Sequence, residues 1–406
     1  MKQFQLALLV LAATAGCIPV PPPVAPRMNP TATLVPAAPQ EVGLHPALPT
    51  QLDSVGEAAI ADRAASGIAL AVGRYGRLVH LKGYGRTDWP QGATPVDERT
   101  LWDIASLTKV VATTTAAMIL EEELRLDLDR PVAFYLPALS DSAKAGITVR
   151  MLLTHRGGLE AGAPLHRTFR GREQYLEQIN LRPLKSLPGT RTEYSDWDLV
   201  LLQLVIERIT GQPLDQFVEE RIFRPLGMAD TRYRPDAALR SRIAATEDAA
   251  DRGGLIWGVV HDPNAWAMGG VAGHAGLFST ARDLSVFAQM LLNGGEYNGV
   301  RILRPATIAR WTAPQGPGSS RALGWDTPSG KSSAGRFFGP RSFGHTGYTG
   351  TSLWVDPERG TFVVLLTNRV NPTSANQKHV ALRRTVADAV QAAITDAPLI
   401  DWEVRR

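Results

Sequence analysis

Residues 352–367 read SLWVDPERGTFVVLLT, and this stretch decides the fold. Its two apolar runs, 352–355 and 362–367, are typical of short buried strands. The residues between them, 356–360, include Pro and Gly and are typical of a turn. The stretch therefore predicts two strands joined by a tight turn near the C-terminal end of the chain.

A second pair of strands is predicted near the other end of the chain. Runs 68–72 and 78–82 flank the turn residues 73–76. Helical patterns dominate between the two pairs, at 106–124, 150–153, 199–209 and 284–292, and a closing helix is expected at 380–394. This order predicts an α+β fold, in which an antiparallel sheet is formed from both chain ends and flanked by helices. The segment 130–295 is expected to be a mainly helical inserted subdomain.

Composition and charge exclude several classes of protein. Charged residues are 20% of the chain and hydrophobic residues 44%, which excludes wholesale disorder and fibrous proteins. The 43 basic and 39 acidic residues leave a net charge of only +4, and no basic run is present, so no nucleic-acid partner is expected. The single Cys17 excludes an intramolecular disulfide, and no metal or other cofactor is expected.

The N-terminus is typical of an exported protein. Lys2 precedes a short apolar run at 4–13, which predicts a signal peptide over 1–16. The sequence Thr14-Ala15-Gly16-Cys17 resembles a bacterial lipoprotein cleavage box, although the pattern prefers Leu where Thr14 stands. The resemblance implies lipid modification of Cys17. A plain signal peptide with an incidental Cys is the alternative.

The next segment is expected to be a tether. Residues 18–49 contain ten prolines, so residues 17–49 are predicted to form an extended, Pro-rich linker with a reach of about 90 Å. The folded body is then predicted at 50–395, followed by a tail at 396–406. We expect the protein in the periplasm or cell envelope, held at a membrane by the N-terminal lipid only.

A serine and a lysine one helical turn apart are the first candidate for chemistry. Ser106 and Lys109 lie at i and i+3, so both side chains can lie on one helix face. Serine needs a neighbouring base to act as a nucleophile, and a buried lysine with a lowered pKa can be that base. A surface Ser and Lys is the alternative, but the apolar run 110–112 favours burial.

Two further motifs carry groups that suit the same chemistry. Tyr194 could exchange a proton near a cationic lysine, and Asp196 could hold that lysine or a substrate amide. His345-Thr346-Gly347 precedes Tyr348, whose backbone N–H could complete an oxyanion pocket with the N–H of Ser106. Taken singly, the first motif is more typical of a core tyrosine, and the second could be an ordinary turn.

The order of the three motifs resembles a known family. A Ser-x-x-Lys on a helix, a Tyr-x-Asp and a His-Thr-Gly before the last hairpin are similar to the motifs of penicillin-recognising serine hydrolases. The similar branch contains class C β-lactamases, D-alanyl-D-alanine carboxypeptidases and related esterases. The resemblance spans about 50–395 and includes the stretches 147–155, 223–228 and 276–281. It implies a β-lactamase/transpeptidase-like fold.

The resemblance also implies roles for individual residues. Ser106 would be the acylated nucleophile, Lys109 its base or proton relay, and Tyr194 the second proton-transfer group. His345 would anchor a substrate carboxylate or tune Tyr194. Two residues depart from the family pattern: Asp196 stands where Asn is usual, and His345 stands where many members have Lys. Both departures lower the expectation of efficient penicillin hydrolysis, while Thr346 and Gly347 are expected to contact substrate.

One more segment carries candidate polar residues. Residues 260–265 and 269–276 resemble a segment of one subgroup of these hydrolases, so His261 or Asn264 could touch substrate. The alternative is a loop held by its own hydrogen bonds. A metal site is not expected, because the spacing of the two His and the Asp fits no standard site.

These observations favour a secreted serine hydrolase that forms a covalent acyl-enzyme on D-Ala-D-Ala type peptides or small esters. A class C-like β-lactamase is the alternative within the same chemistry. A non-catalytic protein that binds penicillin or cell-wall peptide is the alternative from another class. The expected partner is a small molecule or a peptidoglycan-derived substrate, and the sequence carries no signal for an oligomeric state. No Gly-x-Ser-x-Gly is present, which excludes the α/β-hydrolase nucleophile elbow.

Overall fold

The structure is a computed structural model that describes residues 32–140, 142–316 and 319–405. The predicted signal peptide and the lipidation site Cys17 lie outside the described residues. Within the described ranges, every helix is too short or too polar to cross a bilayer.

Strands and helices follow the predicted order. The strands are β1 Val35–Pro36, β2 Gly67–Arg74, β3 Arg77–Gly85, β4 Trp102–Asp103, β5 Arg232–Tyr233, β6 Asp248–Ala249, β7 Gly254–Leu255, β8 Leu277–Ser279, β9 Glu296–Tyr297, β10 Val300–Arg301, β11 Phe343–Thr346, β12 Ser352–Asp356 and β13 Thr361–Thr367. The α-helices are α1 Leu48–Ala61, α2 Thr115–Glu122, α3 Val132–Tyr135, α4 Val149–Leu153, α5 Gly171–Leu181, α6 Asp196–Thr210, α7 Leu214–Val218, α8 Arg224–Leu226, α9 Pro263–Ala267, α10 Ala281–Leu292, α11 Pro305–Thr312 and α12 His379–Ala392.

The main sheet joins the two ends of the chain, as predicted. Its strand order is β1-β3-β2-β13-β12-β11. The register pairs Leu70 on β2 with Leu365 on β13, and all pairs are antiparallel except β1 with β3. The predicted α+β class is therefore confirmed, with one short parallel strand added at the edge. β11 forms the opposite edge, and on its outer side Gly344 pairs with Asp326 in an isolated antiparallel bridge.

Helices cover both faces of this sheet. On β2, Ile68, Leu70 and Val72 pack in the same hydrophobic cluster as residues of α1 and α12. Ala69 and Ala71 point to the other face, where α10 packs on β2 and β13. Because both faces are buried, the strand is apolar along its whole length rather than alternating.

The predicted helical insert is only partly separate from the sheet. Helix α10, at the end of 130–295, packs on β2 and β13. Helix α2 lies before residue 130, yet it contacts α6. One continuous hydrophobic cluster includes residues of the sheet, α2, α6 and α10. The segment also contains strands, because β8 pairs with β4 and β5 in a small second sheet.

The predicted start of the folded body is wrong. Val42, Leu44 and Leu48 are buried, and β1 pairs with β3, so residues 35–49 belong to the body rather than to a tether. Pro36 lies on an edge strand and Pro39 begins a 3₁₀ helix, positions where proline is tolerated. The Pro-rich region therefore extends into the folded body, and the tether is shorter than predicted.

The predicted tail is attached to the body as well. Asp396 forms an ion pair of 2.6 Å with the buried Arg74. The backbone N–H of Trp402 donates to the carbonyl of Arg336 at 2.9 Å. The boundary at 396 does not mark the end of the structured chain.

Replacing Leu44 tests the revised N-terminal boundary. Leu44→Ala removes a side chain that is 1% exposed, so it should lower the free energy of unfolding by about 2–4 kcal/mol. The control Leu124→Ala removes a side chain that is 93% exposed and should change it by less than about 0.5 kcal/mol. Denaturant unfolding measures both. Equal effects would show that residues 35–49 do not contribute to the body.

Candidate active site

The predicted nucleophile lies on a tight turn between β4 and a buried helix. Ser106 precedes the helical segment that continues as a π-helical stretch at Lys109–Thr114 and then as α2. The residue before it, Ala105, has φ of 47°, in the left-handed region that favours glycine. The sequence predicted a helix that begins at residue 106. In the structure Ser106 lies just before the first helical turn.

Lys109 is held by a neighbour in its own segment and by residues from two distant segments. Its Nζ donates to Ser106 Oγ at 2.9 Å, to Asp196 Oδ1 at 2.7 Å and to the His274 carbonyl at 3.0 Å. The Lys109 side chain is only 1% exposed. The predicted contact between Ser106 and Lys109 is present in the structure.

The expectation of a lowered pKa for Lys109 is wrong. Burial opposes the charge, but the Asp196 carboxylate and the nearby Tyr194 outweigh burial and raise the pKa of Lys109 to about 12. This shift favours the ammonium form of Lys109 at neutral pH, and an ammonium cannot accept the serine proton. Asp196 is not among the residues that line the cleft, and its Oδ1 accepts from Lys109.

Tyr194 lies among cationic and aromatic groups. Lys109 Nζ is 4.9 Å from the centroid of its ring and Arg321 Cζ is 5.3 Å from it. The ring also packs on His155 and His345, at centroid distances of 4.6 and 6.0 Å. Tyr194 therefore packs against two cationic side chains and two imidazole rings.

A neutral pair behind Tyr194 fixes its position. His155 Nδ1 lies 3.0 Å from Asp198 Oδ2, and both side chains are buried. Burial lowers the pKa of His155 and raises that of Asp198, which favours the uncharged form of each group. The same Nδ1 accepts the N–H of Ser195, which begins α6. This pair is structural.

The environment of His345 disfavours the first of its two predicted roles, the anchoring of a substrate carboxylate by charge. Its Nδ1–H donates to the Thr346 carbonyl at 2.8 Å. Burial, followed by the charges of Arg321 and Lys109, lowers its pKa to about 3, so the ring is neutral at physiological pH. Among the described residues its buried Nε2 has no hydrogen-bond partner, and this atom lies within the cleft wall as an acceptor.

The two predicted oxyanion donors are brought together by close packing. Among the described residues, the backbone N–H groups of Ser106 and Tyr348 donate to no protein acceptor. A Cβ on Gly347 would lie 2.4 Å from the Ile104 carbonyl, so only glycine allows these segments to approach. Gly347 therefore lets the segment after β11 pack closely against Ile104. Thr346 and Gly347 both line the cleft.

The segment after residue 260 packs against residues of the cleft, but His261 and Asn264 are not among the residues that line it. His261 stacks on Tyr348 with ring centroids 5.7 Å apart, and its Nε2 lies 2.9 Å from Glu247. Asn264 is not among the residues that line the cleft, and its Oδ1 accepts the N–H of His166 and the hydroxyl of Tyr175.

Three groups in this region have the composition of a metal site. Polar atoms of Asp196, Asp262 and His274 lie within 4.8 Å of one another. However, the Lys109 ammonium already binds Asp196 and contributes to the lowered pKa of Asp262, and His274 Nε2 is 2.9 Å from Asp262. A second cation here would meet the charge of Lys109, so the residues present suit an ammonium rather than a metal.

The structure reveals cleft residues that no motif indicated. An open cleft of about 430 Å³ contains the predicted residues together with several arginines. Its lining residues are Ser106, Tyr194, Arg321, Asp326, His345, Thr346, Gly347, Tyr348, Arg369, Gln377, His379 and Arg383. Arg383 donates to the carbonyls of Gly347 and Thr351 at 2.6 and 2.7 Å, and burial lowers its pKa to about 9.

Two features define a serine hydrolase of the β-lactamase and transpeptidase class. The main sheet is formed by both chain ends, and a serine accepts a hydrogen bond from a buried lysine. Residues 52–388 match the family described as Beta-lactamase, and the chain belongs to this family. A relative from Escherichia coli K12, provisionally named a D-alanyl-D-alanine carboxypeptidase, is 34% identical over 368 residues, 78% of this chain and 84% of the relative. A relative from E. coli O157:H7 with the same name is 33% identical and covers 97% of this chain and 99% of its own length.

Solved structures show the same fold at lower identity. EstCE1, a hydrolase with promiscuous acyltransferase activity, has a TM-score of 0.70 at 24% identity and covers 85% of this chain and 98% of its own. A penicillin-binding protein homologue from Caulobacter crescentus has a TM-score of 0.69 at 21% identity and covers 86% and 99%. A class C β-lactamase has a TM-score of 0.69 at 18% identity and covers 84% and 98%. The predicted family and fold are confirmed.

Replacing Asp196 tests the charge of Lys109. Asp196→Asn removes the carboxylate that outweighs burial, so the pKa of Lys109 should fall. If Lys109 acts as a cation, its deprotonation should produce no alkaline limb below about pH 10 in the wild-type kcat/KM profile, whereas such a limb should appear below about pH 10 in Asp196→Asn. Hydrolysis of p-nitrophenyl acetate between pH 6 and 10 measures this limb. A gain of activity at neutral pH would instead identify neutral Lys109 as the base.

Replacing His345 tests its neutral state. The folded pKa of about 3 is below the unfolded value of about 6.5, so stability is lost as pH falls through this window. Between pH 7.5 and 4.5 the wild type should lose about 2–3 kcal/mol more than His345→Gln. Urea unfolding at both pH values measures this difference. Equal losses would show that His345 binds a proton as readily in the folded state as in the unfolded state.

Proposed function

We propose that this hydrolase cleaves D-Ala-D-Ala type peptides through an acyl-enzyme on Ser106. The supporting observation is the 2.9 Å contact between Ser106 Oγ and the Lys109 ammonium beside an open cleft. The names of the relatives from E. coli support the same substrate class. Small esters are the second substrate class, because they need the nucleophile and the oxyanion pocket but no anchor for a carboxylate.

The geometry suggests a division of roles during acylation. Ser106 Oγ attacks the scissile carbonyl while Tyr194, in its deprotonated form, accepts the hydroxyl proton. Lys109 remains cationic and stabilises negative charge on both oxygens. The Ser106 and Tyr348 amides hold the oxyanion that forms on the carbonyl oxygen.

Tyr194 then serves the second half of the reaction. It returns its proton to the nitrogen of the leaving group as the C–N bond breaks, which leaves the acyl group on Ser106. A water molecule then attacks the ester and gives its proton to Tyr194. As the C–O bond to Ser106 breaks, Tyr194 gives this proton to Ser106 Oγ, so the acid leaves and the serine hydroxyl is restored.

Arg321 is the proposed anchor for a substrate carboxylate. The neutral ring of His345 cannot hold an anion by charge, whereas Arg321 lies in the cleft over Tyr194. Its link to Asp326 is loose at 3.8 Å, and burial raises the pKa of that acid. Arginine presents two parallel donors to a carboxylate, which suits the free C-terminus of a D-Ala-D-Ala peptide.

We also propose attachment to the cell envelope through Cys17. The part of the chain available as a tether is then 17–31, since the body begins earlier than the sequence predicted. An extended segment of this length reaches about 45 Å, half of the expected distance. Because β1 and β11 are opposite edges of the sheet, the tether leaves the body far from the proposed site.

One set of substrates separates the proposed functions. We expect wild-type enzyme to hydrolyse a diacetyl-Lys-D-Ala-D-Ala peptide and p-nitrophenyl acetate, with nitrocefin at least about 100-fold slower. Ser106→Ala should abolish all turnover and the covalent adduct with a fluorophosphonate, seen by intact mass. Arg321→Gln should raise KM for the peptide at least about tenfold, with little effect on the ester, which has no carboxylate.

Each other outcome selects a different function. Rapid nitrocefin hydrolysis would favour the β-lactamase, and ester turnover alone would favour the esterase. Failure to turn over any substrate, with no adduct from the fluorophosphonate or penicillin, would favour the non-catalytic binding protein. Activity retained in Ser106→Ala would contradict the assigned nucleophile.

A further inference from the structure

A buried aspartate lies three residues before the proposed nucleophile, at the end of β4. Asp103 is 2% exposed, and its carboxylate accepts two backbone N–H groups. Oδ1 binds the N–H of Ala105 at 2.8 Å and Oδ2 binds the N–H of His261 at 2.7 Å. The carboxylate therefore joins the nucleophile turn to the segment that begins at His261.

The backbone of the same residue joins a third segment. The Asp103 carbonyl accepts the hydroxyl of Thr349 at 2.7 Å, one residue after Tyr348. The ring of His261 stacks on the ring of Tyr348. Asp103 thus contacts both sides of the oxyanion pocket, through Ala105 on the Ser106 side and through Thr349 and His261 on the Tyr348 side.

The bond to Ala105 opposes a local strain. Ala105 has φ of 47°, a conformation that residues with a Cβ rarely adopt. Its N–H is held by the Asp103 carboxylate, and its carbonyl accepts the N–H of Thr108. Without the carboxylate, the turn is free to relax and to move the N–H of Ser106 away from its position.

We propose that Asp103 is a positioning residue for the oxyanion pocket, which holds the Ser106 and Tyr348 amides at the distance that the tetrahedral intermediate requires. This inference rests on the proposed acyl-enzyme mechanism. It does not depend on which acyl donor is the natural substrate. Asp103 touches neither substrate nor reacting atoms and acts only through the segments it joins.

The test compares Asp103→Asn with a matched control. Asparagine keeps one acceptor oxygen, but its NH2 group replaces the second oxygen and faces a backbone N–H. One of the two hydrogen bonds is therefore lost. For p-nitrophenyl acetate we expect kcat to fall about 10–100-fold and KM to change less than about threefold, because removing one oxyanion donor costs about 10²–10³. The control is Asp97→Asn, an aspartate that accepts bonds from Arg99 and Thr100 in the preceding turn and should leave kcat unchanged.

A rescue variant separates positioning from general destabilisation. Glycine adopts the left-handed conformation without strain, so Asp103 should matter less when residue 105 is glycine. We expect the fold-loss of kcat caused by Asp103→Asn to be at least about threefold smaller in the Ala105→Gly background than in the wild type. Thr349→Val, which removes only the bond to the Asp103 carbonyl, should lower kcat about 3–10-fold. It provides the test if Asp103→Asn does not fold, as judged by circular dichroism.

The outcomes separate this inference from the proposed function. If fluorophosphonate fails to label Ser106 in the wild type, the acyl-enzyme proposal fails and this inference with it. If the wild type is labelled and Asp103→Asn matches Asp97→Asn, only the inference is overturned. A loss of kcat that glycine does not rescue, or an unchanged kcat in Thr349→Val, also overturns it.

Discussion

The ion pair between Lys109 and Asp196 is the interaction on which the proposed site depends. Burying an ammonium is costly unless a partner stays with it, and here the partner is 2.7 Å away. The pair keeps Lys109 charged beside Ser106 Oγ. This charge decides which neighbour can accept the serine proton and leaves Tyr194 as the proposed base.

The fold brings these groups together from distant parts of the sequence. Ser106 follows β4, Tyr194 and Asp196 lie at the start of α6, and His345 lies on the edge strand β11. The sheet that joins both chain ends fixes β11, while glycine at residue 347 lets its end approach the nucleophile turn. The His274 carbonyl closes the pocket around Lys109. Several weakly specific motifs therefore converge on one cleft.

Much of the fold and several site contacts could be predicted from the sequence. Hydrophobic periodicity indicates the strands and helices locally, and the order of the motifs along the chain indicates the family. The β2–β3 and β12–β13 pairs and the Ser106–Lys109 contact are examples. The charges of Lys109 and His345 could not be predicted, since burial and Asp196 decide them in space. The packing of residues 35–49 could not be predicted either, because the high proline content of this region indicated an extended linker.

Other features carry no local signal at all. Arg321 lies in an irregular stretch between α11 and β11, and only the fold places it over Tyr194. Asn264 looked like a substrate contact, but its side chain holds two other segments together. Asp103 belongs to no motif, and its two backbone partners are 2 and 158 residues away. Contacts of this kind require the three-dimensional structure.

The protonation state of Lys109 in the resting enzyme is the most direct measurement. ¹⁵N-lysine NMR can follow it, with the resonance assigned by its loss in Lys109→Arg. We expect an ammonium signal that persists to at least pH 10, because the Asp196 carboxylate stabilises the charge. A neutral amine at pH 7 would contradict the central claim and would return the role of base to Lys109.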